Sequence, residues 1–195
     1  MSKIIFLNGC GSAGKTSVAK SIQRLSNELW LTFGVDSFID MIPVDKQEQY
    51  FKFIPGKNQH GQTIRVKTGP EATKLFGLMP EFAEMLANKG NNLIIDEVLL
   101  DDKNLINYAK QLSRHNVYYI GVFCDLEIMQ EREKIRLDRV IGLSADQITR
   151  VHESMRGLYD LKVDTSNSSP LEIAKTILKH IETGPKPRVF KAILE

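Results

Sequence analysis

The chain has 195 residues, of which 42% are hydrophobic and 26% charged, as expected for one globular domain with a proper core. A formal net charge of +2 is too small to indicate a nucleic-acid partner or an anionic membrane surface. The apolar runs are far shorter than a membrane span, the N-terminus enters a predicted strand without a signal peptide, and two cysteines indicate no disulfide framework, so we expect a cytoplasmic protein.

The N-terminal segment combines a strand, a glycine loop and a helix. Residues 3–7 form a short apolar run typical of a buried strand, and apolar side chains recur at helical spacing over residues 15–29. Between them, residues 9–16 read Gly-Cys-Gly-Ser-Ala-Gly-Lys-Thr, which is the G-x-x-x-x-G-K-[ST] phosphate-binding loop. The alternative is a glycine turn with a surface lysine, and both flanking segments disfavour it.

This loop predicts a site for a nucleoside triphosphate. Its backbone N–H groups would form an anion-binding nest, and the N-terminus of the following helix would add partial positive charge. Lys15 would reach the β- and γ-phosphates, and the Thr16 hydroxyl would bind Mg²⁺. The predicted nucleotide-binding residues here are Gly9, Cys10, Gly11, Ser12, Ala13, Gly14, Lys15, Thr16 and Ser17. Cys10 is either a reactive thiol at a helix N-terminus or, as the simpler interpretation, a small filler.

The next part of the chain predicts a second strand, an insertion and a helix. Residues 30–35 form the strand, which ends at Asp36 and Ser37. Residues 50–68 predict a small inserted hairpin, and we place its turn at Pro55-Gly56. A helix then begins at Pro70, and Pro80 predicts a kink or break within it.

The remaining elements alternate between strands and helices. Apolar runs that end in polar residues predict strands at 93–95 and 117–123, and residues 159–163, followed by Asp164-Thr165-Ser166, predict a fifth strand. Helices are predicted at 101–115, 126–134, 144–157 and 170–181. We expect Ser144 and Gln147 to form a capping box at the start of the third of these helices.

This alternation predicts a parallel sheet with helices on both faces. We expect an α/β fold, a P-loop NTPase three-layer sandwich whose central five-stranded parallel sheet has the order 2-3-1-4-5, with the hairpin as an insertion. Residues 1–183 are expected to form a single domain with a lid at about 132–142, and residues 184–195 to form a tail without periodicity. In such folds ligands bind at the carboxyl ends of the strands.

Acidic residues follow two of the predicted strands at that edge. Asp96 comes after three apolar residues, as in a Walker B strand, and is predicted to hold Mg²⁺ directly or through water. Glu97 could share this role or begin the next loop. Asp36 is the candidate general base that would accept the proton of an acceptor hydroxyl. By position alone, Asp36 could equally well cap the following helix.

Residues 131–139 contain four cations in nine positions. Close to a phosphate loop, this run predicts a lid whose arginines clamp the transferring phosphoryl group. The alternative is a solvated helix face with local ion pairs. The four histidines lie far apart in the sequence and predict no metal site.

The chain resembles the chloramphenicol phosphotransferase family of small P-loop kinases over about residues 3–182. The Trp30 to Ser37 segment and the stretch from Val151-His152 through Tyr159-Asp160 to Val163-Asp164-Thr165 are the most specific to that family. The other similar segments are 4–16, 69–71, 93–96, 121–125, 132–133 and 136–139.

The resemblance implies an enzyme that uses ATP and Mg²⁺ to phosphorylate a hydroxyl of a small molecule, with chloramphenicol 3-O-phosphorylation and antibiotic resistance as the family's activity. Lys15 matches the family's ATP loop, and Asp36 its catalytic aspartate. Arg136 and Arg139 match the lid arginines, while Arg132 and Thr165 match positions that hold adenine in related P-loop kinases.

The acceptor stays open at this point. Residues 44–68 and 71–89 depart from the family pattern and are expected to line the acceptor pocket. A nucleoside, sugar or nucleotide-sugar acceptor, as in zeta-toxin-like kinases, is the nearest alternative. A non-catalytic ATP-binding regulator is an alternative of another class, and the lack of an Asn-Lys-x-Asp sequence disfavours a GTPase. We expect no nucleic-acid or membrane partner, and a homo-oligomer is possible.

Overall fold

The computed structural model describes residues 1–135 and 140–195. Its centre is a five-stranded parallel sheet in the order β2-β5-β1-β6-β7. The strands are β1 (Lys3–Asn8), β2 (Trp30–Gly34), β5 (Asn92–Glu97), β6 (Asn116–Phe123) and β7 (Leu161–Asp164). Counted among the core strands alone, this is the order 2-3-1-4-5, so the predicted topology is confirmed.

Helices connect these strands. They are α1 (Lys15–Leu25), α2 (Val35–Ile39), α3 (Gln47–Tyr50), α4 (Pro70–Gly77), α5 (Met79–Asn88), α6 (Asp102–Leu112), α7 (Leu126–Ile135), α8 (Leu143–Gln147), α9 (Pro170–Thr183) and α10 (Val189–Ala192). Short 3₁₀ helices lie at Val44–Lys46 and Ser154–Gly157. Among the described residues, we find no helix with the length and apolar character needed to cross a bilayer.

The sheet carries a separate apolar core on each face. Alternate side chains of β1 point to opposite faces, so Ile5 and Leu7 pack with α1 and α9, whereas Ile4 and Phe6 pack with α5 and α6. Both faces are therefore covered, and this explains why β1, β5 and β6 are continuous apolar runs with no alternation. The three-layer architecture is confirmed.

The inserted hairpin is present, but its predicted turn is wrong. Strands β3 (Phe51–Asn58) and β4 (Gly61–Thr68) pair antiparallel, and Pro55-Gly56 lie within β3 opposite residues 63 and 64. A two-stranded ribbon has only edge strands, which tolerate proline. The turn lies at residues 59–60 instead, where Gly61 has φ +105° and the Asn58 side chain accepts a hydrogen bond from the His60 N–H at 2.8 Å.

Two helix predictions meet different outcomes. The break at Pro80 is confirmed, because α4 ends at Gly77 and Pro80 lies in the first turn of α5. The helix over 144–157 is wrong, because α8 ends at Gln147 and turns follow. Ser144 is inside α8, whose cap is Gly142 at φ +101°. The buried Glu133 carboxylate accepts hydrogen bonds from the Gly142 N–H at 3.0 Å and the Ser144 N–H at 2.7 Å, and so takes over the capping role.

The C-terminal segment packs onto the sheet. Val189 and Phe190 of α10 are buried, and the Phe190 ring lies 5.4 Å from that of Phe6. The Asp160 carboxylate fixes the entry to α10 by accepting hydrogen bonds from the N–H groups of residues 188 and 189. This short helix has no sequence periodicity because only one turn of it meets the core.

Candidate active site

The phosphate loop follows β1 at the carboxyl edge of the sheet. Gly9 lies so close to β6 that an added Cβ would be 2.4 Å from the Val122 carbonyl oxygen. Ser12 and Gly14 have φ of +63° and +86°, while α1 begins immediately afterwards at Lys15. Left-handed residues between ordinary ones turn successive N–H groups inward, which is the geometry of an anion-binding nest.

Three predicted residues meet at the mouth of this loop. The buried Lys15 ammonium donates hydrogen bonds to the carbonyl oxygens of Gly9 at 3.1 Å and Cys10 at 2.9 Å. Its Nζ also lies 3.5 Å from Oδ1 of Asp96. The Thr16 hydroxyl donates to Oδ2 of the same carboxylate at 2.6 Å. The lysine, threonine and aspartate therefore form one polar cluster between β1, α1 and β5.

Backbone packing sets the position of Asp96. Gly34 at the end of β2 is its partner in register, and an added Cβ on Gly34 would be 2.1 Å from the Asp96 carbonyl oxygen. A hydroxyl and a carboxylate are the hard oxygen donors that Mg²⁺ accepts, usually alongside water and phosphate oxygens. The donor set of Thr16 and Asp96 therefore fits Mg²⁺. Within residues 1–135 and 140–195, no group of three or more His, Cys, Asp or Glu residues could hold a metal ion.

Glu97 points away from this cluster, because neighbouring strand residues face opposite sides of the sheet. Its buried carboxylate accepts a hydrogen bond from the Tyr108 hydroxyl of α6 at 2.7 Å and one from the Val98 N–H at 3.2 Å. Burial raises the pKa of Glu97 to about 7, although both hydrogen bonds act in the opposite direction. Asp96 is thus the carboxylate beside Thr16, and Glu97 is bound to helix α6.

Asp36 lies exposed in the first turn of α2. The N-cap of this helix is Gly34, and the Ser37 hydroxyl accepts a hydrogen bond from the Gly34 N–H at 3.3 Å. Gly34 therefore takes the N-cap position, and Asp36 lies inside the helix. The general-base role of Asp36 stays a prediction.

Arg132 and Thr165 come together against the phosphate loop. The Arg132 guanidinium donates to the Thr165 carbonyl oxygen at 3.0 Å and to the Ser12 carbonyl oxygen at 3.4 Å. The Thr165 hydroxyl donates to the Ala13 carbonyl oxygen at 2.7 Å. Both residues thus contact the phosphate loop directly, and their role in holding adenine stays a prediction. The predicted lid residues Arg136 and Arg139 lie outside the described residues.

Cys10, a residue of the loop itself, is buried in the apolar core, and burial raises the pKa of its thiol to about 12, despite the nearby positive charge of Lys15. A thiol in this state is a poor nucleophile, since the thiolate is the reactive form. The geometry therefore agrees with the small-filler interpretation of this residue.

The sequence reasoning missed a polar network under the loop. Asn8 is fully buried, and its amide donates to the Tyr159 hydroxyl at 2.9 Å and to the Val151 carbonyl oxygen at 3.1 Å. His152 Nδ1 lies 2.6 Å from the same hydroxyl, and its ring stacks on Phe123 at 4.0 Å. Burial, with the positive charge of Lys15, lowers the pKa of His152 to about 4. An asparagine ending an otherwise apolar strand was the available signal.

Gln147 is a second missed residue. Its side-chain Oε1 accepts a hydrogen bond from the backbone N–H of Gly11 at 2.6 Å. Sequence spacing assigned this glutamine to a capping box. No local pattern could predict its contact with Gly11, which lies 136 residues earlier in the chain.

Solved structures share this fold. A sugar kinase from Janibacter sp. HTCC2649 superposes with a TM-score of 0.63 at 14% identity, covering 95% of this chain and 96% of the other. A shikimate kinase from Acinetobacter baumannii superposes with a TM-score of 0.58 at 16% identity, covering 94% of each chain. At these identities the similarity shows the fold alone.

A curated relative from Mycobacterium tuberculosis (strain H37Rv) carries the name "Putative O-phosphotransferase" and is 26% identical over 198 residues, covering 98% of this chain and 87% of the relative. The family model described as "Chloramphenicol phosphotransferase-like protein" matches residues 2–182, nearly the whole chain. The chain therefore belongs to the chloramphenicol phosphotransferase-like family and is a phosphotransferase.

Proposed function

We propose that this member of the chloramphenicol phosphotransferase-like family transfers the γ-phosphoryl group of ATP to a hydroxyl group of a small molecule. The observation that carries the proposal is the cluster of Lys15, Thr16 and Asp96 at the mouth of the phosphate loop. It joins a cation for phosphate oxygens to the hard oxygen donors of a magnesium site.

The loop holds its cation in a fixed position before any ligand binds. Lys15 is only 6% exposed and is held by two carbonyl oxygens and by Asp96, so its ammonium is already desolvated and oriented. The loop N–H groups and this ammonium would bind the phosphate oxygens, and Thr16 and Asp96 would hold Mg²⁺. When bound, Mg²⁺ would neutralise charge on the β- and γ-phosphates.

The acceptor hydroxyl would approach from the β2 side. Asp36 follows Gly34, which pairs in register with Asp96, so its backbone lies just beyond the metal carboxylate at the same edge of the sheet. We propose that Asp36 accepts the hydroxyl proton as the oxygen–phosphorus bond forms and ADP leaves. Arg136 and Arg139 remain our proposed clamp on the transferring group, and Arg132 with Thr165 our proposed contact for adenine.

One observation favours an acceptor with an apolar or aromatic part. The hairpin, which we expect to line the acceptor pocket, exposes Phe53 and Val66 as a cross-strand pair. Apolar and aromatic linings are typical of small-molecule sites. Chloramphenicol, an aromatic alcohol, meets this requirement, and a bare sugar does not.

Two free cysteines and the use of ATP agree with the cytoplasm as the location.

The test is a screen for ADP formation with ATP, Mg²⁺ and a panel that contains chloramphenicol, nucleosides, sugars, nucleotide sugars and other hydroxylated metabolites. Mass spectrometry of the acceptor then reads out the added phosphoryl group. Turnover with chloramphenicol would support the full proposal, and turnover with another alcohol would keep the mechanism but replace the acceptor. ATP binding without turnover across the panel would favour a regulatory protein and contradict the proposal.

A further inference from the structure

The carbonyl oxygen of the Gln147 side chain occupies one donor of the phosphate loop. Its Oε1 accepts the Gly11 N–H at 2.6 Å, a short distance for a hydrogen bond of this type. The fit is close, since an added Cβ on Gly11 would be 3.2 Å from the same oxygen. Gly11 lies within the run of residues whose N–H groups the motif uses to bind phosphate.

A glutamine carbonyl oxygen and a phosphate oxygen would each accept a hydrogen bond from this N–H group. Each is an acceptor that carries negative charge, partial in the amide and formal in the phosphate. One N–H cannot make a short, linear hydrogen bond to both. A phosphate oxygen on Gly11 therefore requires the Gln147 side chain to leave.

The neighbouring segments hold Gln147 in this position. The Glu133 carboxylate fixes the N-terminus of α8, the helix that ends at Gln147. The hairpin fixes the same helix from the other side, since the Asn58 amide donates to the Ala145 carbonyl oxygen at 2.8 Å. The Ile64 N–H donates to the Gly142 carbonyl oxygen at 3.0 Å, and Arg65 pairs with Asp146 at 3.1 Å.

A continuous chain of contacts therefore runs from the hairpin through α8 to the phosphate loop. We propose that Gln147 competes with the phosphates of ATP for the Gly11 N–H, and that the β3–β4 hairpin sets the strength of this competition through α8. The inference rests on the proposed function, because ATP is the ligand that must displace the glutamine. It makes α8 a link between the acceptor side and the donor side of the site.

The sign of the coupling follows from the contacts. Any change that loosens the hairpin from α8 frees Gln147 and strengthens ATP binding. By thermodynamic reciprocity, ATP binding loosens the hairpin to the same extent. An acceptor that moves the hairpin would thus change the affinity for ATP without touching it.

The experiment measures ATP affinity by titration calorimetry in the full chain with three substitutions. Gln147→Ala removes the competing oxygen and should lower the Kd by about two- to tenfold, the value of one neutral hydrogen bond. Gln147→Glu should raise the Kd by about five- to tenfold, because a carboxylate accepts the N–H more strongly and repels phosphate. Gln111→Ala on α6 is the matched control and should leave the Kd unchanged.

The role of the hairpin is tested by Asn58→Ala, which removes a neutral contact to α8. This change should lower the Kd about two- to threefold in the wild-type background, where Gln147 is present, and have no effect in the Gln147→Ala background. A Gln147→Ala protein that binds ATP as weakly as wild type, or more weakly, would overturn the inference alone. An additive effect of Asn58→Ala would overturn the part played by the hairpin. Absence of ATP binding in wild type and in Gln147→Ala would overturn the proposed function as well.

Discussion

Replacing Glu97 with glutamine should make the protein more stable at alkaline pH. Glu97 is buried, and burial raises its pKa from 4.5 to about 7. Glutamine keeps the shape and both contacts, since its oxygen can accept from the Val98 N–H and its NH₂ can donate to the Tyr108 hydroxyl. The substitution therefore removes the ionisable group at residue 97 and keeps its shape and contacts.

The expected size and sign follow from proton linkage. Between pH 4.5 and 7 the unfolded chain releases the Glu97 proton and the folded protein keeps it, so the free energy of unfolding falls as the pH rises. At 1.36 kcal/mol for each pH unit, the full penalty is about 3 kcal/mol above pH 7. The stability that Glu97 contributes is present at low pH and is lost through this window. The Glu97→Gln variant does not lose this stability, because its residue 97 does not titrate.

The assay is urea unfolding followed by the fluorescence of Trp30, the single tryptophan, which is 3% exposed in the folded protein. The unfolding free energy of Glu97→Gln minus that of wild type should increase by about 2–3 kcal/mol from pH 5 to pH 8. All other titrating groups are common to both proteins and cancel in the difference. A difference that stays constant with pH would contradict the raised pKa of Glu97, since Glu97 would then titrate alike in both states.

Two further predictions concern the loop and the network beneath it. Gly9→Ala places a Cβ 2.4 Å from the Val122 carbonyl oxygen, so the phosphate loop must shift, and phosphoryl transfer should fall about 100-fold in steady-state assays; wild-type rates would show that the loop adapts. His152 has a folded pKa of about 4, below its ordinary 6.5, so the unfolded chain takes up a proton first as the pH falls. The loss of stability between pH 6.5 and 4 should therefore be smaller in His152→Asn than in wild type, as measured by the same unfolding assay. Equal losses in the two proteins would contradict the lowered pKa of His152.

Local sequence patterns predicted most of the sheet and the centre of the site. Apolar runs located the core strands because both faces of the sheet are buried, and their polar ends located the edge where Lys15, Thr16 and Asp96 meet. The choice between Asp96 and Glu97 needed coordinates. Adjacent residues differ only in which face they occupy, and the Tyr108 partner of Glu97 lies on a later helix.

Two of the three errors have a common physical cause, because each of those two involves a contact between separate segments. Ser144 was a plausible helix cap, but the carboxylate of Glu133 from α7 takes that role. Pro55-Gly56 was a plausible turn, but a two-stranded ribbon tolerates proline, and the turn formed at residues 59–60. Gln147 is the last residue of α8, and its side chain contacts the phosphate loop. Long-range contacts override local propensity at Ser144 and Gln147, whereas the misplaced turn lies within the hairpin itself.

Asp36 is our proposed base for phosphoryl transfer from ATP to a hydroxyl. The most direct measurement compares Asp36→Asn with Asp40→Asn, a matched change at the end of the same short helix, using ATP and the acceptor found in the screen. We predict that Asp36→Asn loses about 10²–10⁴ in the transfer rate and binds ATP as wild type does, and that Asp40→Asn is unchanged in both. A wild-type transfer rate in Asp36→Asn would contradict the account.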